Sequence, residues 1–339
     1  MRGVMQIASV ALSVSATGVF ASGGPEAFFA TEVASVRVGS GDAQISDREC
    51  FPSEGSCIGG FASIGADDTL FFFDPGRNNV KVIPSGLPRG GLARLIPGPQ
   101  RGPRMQEWLD GAVGNDGAIY LLEASSRTSR TVILAMRRPG RGSWSASDPI
   151  EVALLNTDED PPTAPDLRAG STRLAALPTG EIVLCAGRGL LGPALVVASK
   201  GSLLAPSLRT RRAPGLVLPR GRRLRMRDGA LEFESLDGNK RCGPREAHRL
   251  VGADGAGNLY FVVSTSWAEE RLQGYDRDCR LVASAAVPER PIWKSITPPG
   301  PLYVTRGGDV IEVGLSESRL VVWRWIRRES SAAGNGGRD

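Results

Sequence analysis

The chain has 339 residues, with 41 Lys and Arg against 36 Asp and Glu, a net charge of +5, and a single histidine. One histidine excludes a His-rich metal site and leaves His248 as the sole route to a Ser-His-Asp triad. Forty-one per cent hydrophobic residues supply a large core, and 43 Gly with 24 Pro stay below the share that marks low complexity.

Residues 1–21 place one cation, Arg2, before an uncharged apolar run that ends in Val19-Phe20-Ala21, the pattern of a secretory signal cleaved after Ala21. The expected organisation is a signal over 1–21, a flexible segment over 22–30, one β domain over 31–326 and a disordered tail over 327–339. The mature chain is then secreted or periplasmic, monomeric and without a transmembrane segment. Export makes disulfides permissible. Cys50 and Cys57 flank a loop-like run, Cys242 and Cys279 lie beside turn residues, and these two pairs are the expected bridges. Cys185, inside Ile182-Val183-Leu184-Cys185-Ala186, reads as a small buried apolar side chain. Zinc competes for the cysteines, but C-x-x-C spacing is absent.

From Thr31 onward, short apolar strands alternate with turns rich in Gly, Asp, Asn and Pro, and no window sustains helical periodicity. Gly65-Ala66-Asp67-Asp68-Thr69-Leu70 is echoed by Gly114-Asn115-Asp116-Gly117-Ala118-Ile119 and by Asp254-Gly255-Ala256-Gly257-Asn258-Leu259. Weaker copies precede Ile182 and Leu302. Each reads as a tight turn that delivers a buried strand. Leu70, Ile119, Ile182, Leu259 and Leu302 are therefore expected at equivalent second-strand positions. A cryptic unit near Leu224 fills the long gap between Ile182 and Leu259. The mean spacing of about 46 residues is that of four-stranded propeller blades, so the expected fold is all-β, a propeller of six four-stranded blades. A two-domain β-sandwich is the alternative.

The unit Ile64–Ile83 resembles an NHL-type repeat: Asp74, Gly76, Val80 and Val82 match its D-x-G-N-x-R-[IV]-x-V run, while Arg77 and Asn79 depart from it. Gly274-Tyr275-Asp276-Arg277-Asp278-Cys279-Arg280-Leu281 is similar to the late Y-D-x-x-G-R-L turn of such blades, with Cys279 where the family has Gly. The resemblance implies a six-bladed propeller.

Arg223, Arg225 and Arg227 alternate with Leu224 and Met226, so on a strand the three cations share a face suited to an anionic polymer. The competing roles are a solvated outer strand or pairing with Glu232 and Glu234. No aromatic residue interleaves them, which argues against nucleic acid. Asp158-Glu159-Asp160 lacks EF-hand spacing and reads as a solvated loop rather than a metal site. Trp323 and Trp325 share a strand face and are expected to pack. With no concentrated nucleophile–base pattern, the chain reads as a non-catalytic exported propeller, without cofactor, that binds a protein or polysaccharide partner through loops on one face. The alternative is a lactonase-like hydrolase dependent on calcium, which would need at least three oxygen side chains converging at the central channel.

Overall fold

The computed structural model describes residues 28–37, 44, 61–84, 94–99, 106–125, 130–138, 142–152, 172–177, 179–186, 194–212, 216–218, 223–227, 230–234, 240–244, 248–264, 270–287, 302–315 and 319–327. Every strand in them pairs antiparallel with its neighbours, and no α-helix occurs among the described residues. No described helix is long and apolar enough to cross a membrane.

The chain lays down its sheets one after another. The first runs Phe61–Ile64, Leu70–Asp74, Asn79–Ile83, Arg94–Pro97. The second runs Gln106–Val113, Ile119–Ser125, Arg130–Arg137, Ile150–Val152, with Ser145–Ala146 also on its third strand. The third comprises Thr172–Ala176, Ile182–Ala186, Ala194–Ser199 and Ser202–Leu203, with Arg211–Arg212 also on its third strand. The fourth is Leu216–Val217, Arg223–Arg227, Ala230–Glu234, Lys240–Arg241. The fifth is His248–Ala253, Leu259–Ser264, Glu270–Tyr275, Leu281–Val287. The last takes Leu302–Val304, Val310–Leu315 and Arg319–Arg327 from the C-terminal part and is completed by Phe28–Arg37 from the N-terminal part.

This is a β-propeller. Among the described residues, apolar clusters seal every junction between successive sheets except that of third and fourth. Phe73 and Ile119 meet between first and second, Tyr120 and Leu184 between second and third. Leu224 and Phe261 meet between fourth and fifth, Tyr260 and Val310 between fifth and last, Phe72 and Val313 between last and first. The third sheet's other face buries Val183, Cys185 and Val196 in a cluster drawn from that sheet alone. The fourth sheet is slight: its first and last strands have two residues each. Six equal blades are therefore not what forms; five full sheets stand beside one reduced sheet.

Two placements differ from the expectation. The N-terminal strand starts at Phe28, inside the segment expected to be flexible, because the buried Phe28 ring packs 6.2 Å from Tyr260. It pairs with the last strand from Phe28↔Arg327 to Arg37↔Arg319, so early and late chain close one sheet and cover its edge. The second correction concerns Leu302. It lies on the first strand of its sheet, and the residue equivalent to Leu70 is Val310, which follows the turn Thr305–Asp309. Leu70, Ile119, Ile182 and Leu259 do stand at the start of second strands and are at most 3% exposed. Leu224 is likewise fully buried on the second strand of the reduced sheet.

Candidate functional site

Five turns join first to second strands with one geometry. In each, the first residue's N–H donates to the carbonyl of the fifth: Gly65 to Thr69, Gly114 to Ala118, Leu177 to Glu181, Asp254 to Asn258, Thr305 to Asp309, at 2.8–3.1 Å. The fourth residue takes positive φ, which Gly117, Gly180, Gly257 and Gly308 adopt freely and Asp68 adopts at 62°. Side-chain oxygens lock the turns. Asp67 accepts from the Thr69 N–H, Asp116 from Ala118, Asp254 from Ala256 and Asn258, and Thr305 from Asp309. Turns also bond to each other: the Gly255 N–H donates to the Arg306 carbonyl, and the Arg306 N–H to Asp68. The result is a stiff polar end whose tips, among them Asp67, Asn115, Thr179 and Arg306, are exposed.

This end continues outward between the second and third sheets. A Cβ at Gly201 (φ +78°) would collide with Asp116 and lie 3.2 Å from Arg137, so turn, strand end and neighbouring sheet touch there. Beside Arg137 opens a groove of about 400 Å³ in which apolar Ala135, Ala146, Ile150 and Leu203 alternate with Ser145, Ser147, Asp148 and Ser202. More of its surface is apolar than polar, with the serine hydroxyls and the charges of Arg137 and Asp148 among apolar side chains.

Deeper at the same junction lie Asp110 and Arg173, on the adjoining first strands of the second and third sheets. Each stands four residues before the first residue of its turn. Asp110 Oδ2 accepts the Leu174 N–H at 2.8 Å, while Oδ1 is 4.0 Å from Arg173 Nη1. Burial pushes the Asp110 carboxyl up from 3.8 to about 6, although Arg173 and the Leu174 and Gly111 N–H groups pull it down. Arg173 Nη2 is buried and makes no hydrogen bond among the described residues. The sequence reading missed this pair. The only trace was a lone Asp and a lone Arg at the same distance before two repeated turns.

Other buried polar groups serve the scaffold. Lys81 is fully buried and donates to Asp74 Oδ2 at 2.6 Å and Asn79 Oδ1 at 2.8 Å. The Trp325 indole donates to buried Glu312 at 2.6 Å, so this tryptophan packs as expected. Tyr260 donates to Asp254 at 3.0 Å, and burial with that carboxylate raises its phenol.

The expected site residues are distributed as follows. Arg223 and Arg225 are half-buried on the second strand of the reduced sheet and lie directly across from Glu234 and Glu232, with Arg227 opposite Ala230. Cys242 and Cys279 form a disulfide with Cα atoms 5.0 Å apart. Cys279 occupies the positive-φ position (64°) of the turn Asp276–Arg280, so the departure from Gly has a structural use. Cys50 and Cys57, and Asp158-Glu159-Asp160, lie outside the described residues. Cys185 is 1% exposed. Among the described residues no three His, Cys, Asp or Glu gather as a metal group would require.

No family model matches the chain, and no curated protein does either. Solved structures do resemble it. A streptogramin B lyase is 12% identical over 88% of this chain and 98% of its own, with a TM-score of 0.38. A luciferin-regenerating enzyme is 10% identical over 78% and 90%, with a TM-score of 0.40. YCF48 bound to D1 peptide is 10% identical over 90% and 100%, with a TM-score of 0.33.

Proposed function

We propose that this protein is an exported, non-catalytic propeller, six-bladed when the reduced sheet is counted as a blade, that binds a protein or polysaccharide partner at one end. The observation that carries the reading is the stiff turn end running into the open groove beside Arg137 and Ser202. Its carboxylates at Asp67, Asp116 and Asp254 hold their own turns, which fixes exposed tips in place for recognition. The groove sets serine hydroxyls and a charged rim beside apolar Ala135, Ala146, Ile150 and Leu203, a mixture that a sugar ring's apolar face and hydroxyl edge can meet.

The test presents the mature chain to arrays of neutral and acidic polysaccharides and compares wild type with Ser202→Trp, which fills the exposed groove without touching the core. Binding that falls tenfold or more in the variant, at unchanged Tm, supports the reading. Equal binding by both moves the site away from the groove. Calcium-dependent turnover of lactone or ester substrates, abolished by a chelator, refutes the non-catalytic reading in favour of the hydrolase.

A further inference from the structure

The junction of the second and third sheets holds a guanidinium whose donors are not used up by the fold. Arg173 has 13% side-chain exposure, and its buried Nη2 has no hydrogen-bond partner among the described residues. The nearest carboxylate, Asp110, is 4.0 Å from Nη1, too far for a hydrogen bond, and turns its other oxygen to the Leu174 N–H. Buried polar groups in folded proteins are almost always hydrogen-bonded, and an arginine carries five N–H donors in a planar fork. The pair contrasts with Lys81 and Asp74, which meet at 2.6 Å and satisfy one another.

We propose that Arg173 and Asp110 form a subsite that takes a monocarboxylate group of a ligand. This deepens the binding role proposed above by naming the chemistry of one contact. A carboxylate fits the guanidinium fork with two parallel N–H···O bonds. Phosphate as a dianion is disfavoured, because Asp110 already sets one negative charge beside the arginine.

Charge balance then dictates the pH dependence. Asp110 and Arg173 together are neutral when both are ionised, so an incoming carboxylate leaves one uncompensated negative charge unless a proton enters with it. Asp110 accepts that proton and becomes a donor to the bound oxygen. From the third sheet Asp110 is faced by Arg173 and the Leu174 N–H, on its own strand by the Gly111 N–H, and across its own sheet by uncharged Leu122. Its carboxyl, held up at about 6 by burial, is therefore protonated readily at mildly acidic pH.

The experiment follows Tm of the full chain in 100 mM sodium acetate against 100 mM sodium chloride at pH 5.5 and 7.5. Glucuronate, an acetylated glutamate and inorganic phosphate are further arms. A rise of about 2 °C with acetate over chloride at pH 5.5, shrinking at pH 7.5, is expected for a site with a Kd of about 10 mM. Glucuronate exceeding acetate identifies a sugar acid as the source, and acetyl-glutamate exceeding both identifies an acidic side chain. Arg173→Met abolishes the rise, and Arg173→Lys, which keeps the charge and loses the fork, weakens the apparent affinity at least fivefold. Asp110→Asn keeps the acetate response and flattens its pH dependence. An equal response in wild type and both Arg173 variants, no acetate–chloride difference at pH 5.5, or a larger response to phosphate overturns the proposal. A null result on the polysaccharide arrays with a retained, Arg173-dependent acetate response removes the partner reading and leaves this subsite standing.

Discussion

Replacing Asp110 by Asn removes a buried ionisation while keeping a side-chain oxygen for the Leu174 N–H, now 2.8 Å from Asp110 Oδ2. The folded chain holds the Asp110 proton up to about pH 6, whereas the group's ordinary value is 3.8. A carboxyl raised in this way favours the folded state fully below about pH 4, and the contribution is lost as pH rises to 6. The gap of about two pH units, at about 1.4 kcal/mol each, makes ionised Asp110 a cost of about 3 kcal/mol at pH 7.5. Asp110→Asn should therefore stabilise the protein by about 1–3 kcal/mol at pH 7.5 and by about a third of that at pH 4.5. Urea melts of both proteins at pH 4.5, 6 and 7.5 measure the difference, which cancels every other titrating group. Curves that stay parallel across pH, or an Asn variant less stable at pH 7.5, would refute the assignment of a buried, destabilised carboxylate.

Lys81→Met should cost about 3–5 kcal/mol by leaving Asp74 buried without its cation, and adding Asp74→Leu should restore most of it; urea midpoints of single and double variants decide. Peptide mapping without reduction should find Cys242 joined to Cys279, and by the chain-entropy model reducing that bridge, which spans 37 residues, should lower stability by about 4 kcal/mol. Cys185, 1% exposed, should alkylate only as the protein unfolds, a rate that mass spectrometry follows. Ile119→Ala should cost about 2–5 kcal/mol by denaturant melt, and removing residues 28–37 should yield aggregating chains by light scattering, since the strand Arg319–Arg327 then presents an open edge.

The sequence carried the parts of the fold that repeat. Where Asp-Gly or Gly-Asn stood before an apolar pair, at Ile119 and Leu259, turn chemistry and strand agreed and the register was legible. Leu302 misled because Pro299-Gly300-Pro301 mimics such a turn; the true one is Thr305-Arg306-Gly307-Gly308-Asp309, whose Gly308 supplies the positive φ. The start at Phe28 was hidden because its support is a ring contact with Tyr260, more than two hundred residues away in the chain. The Asp110–Arg173 pair was hidden for the same reason. Neither residue belongs to a local motif, and only the packing of two first strands brings them together.

At one position of the first strands, the second and third sheets carry charge where the first and fifth are apolar. Four residues before their turns, the first and fifth sheets carry Phe61 and Leu250, and Phe61 is 2% exposed and stacked 4.8 Å from Phe73. The second and third sheets carry Asp110 and Arg173 at that same position. An apolar pair there would spare the fold the desolvation of two charges, so packing alone does not select them. The groove beside Ser202, and the contact of Asp116 and Arg137 with Gly201, fall between the same two sheets. A stability cost on the inner strands and an open polar surface at the rim thus coincide in one of the propeller's junctions. Perturbed, buried ionisable groups gather where a protein does its work more than where it merely packs, which singles out the second–third junction as the face of this propeller to probe first.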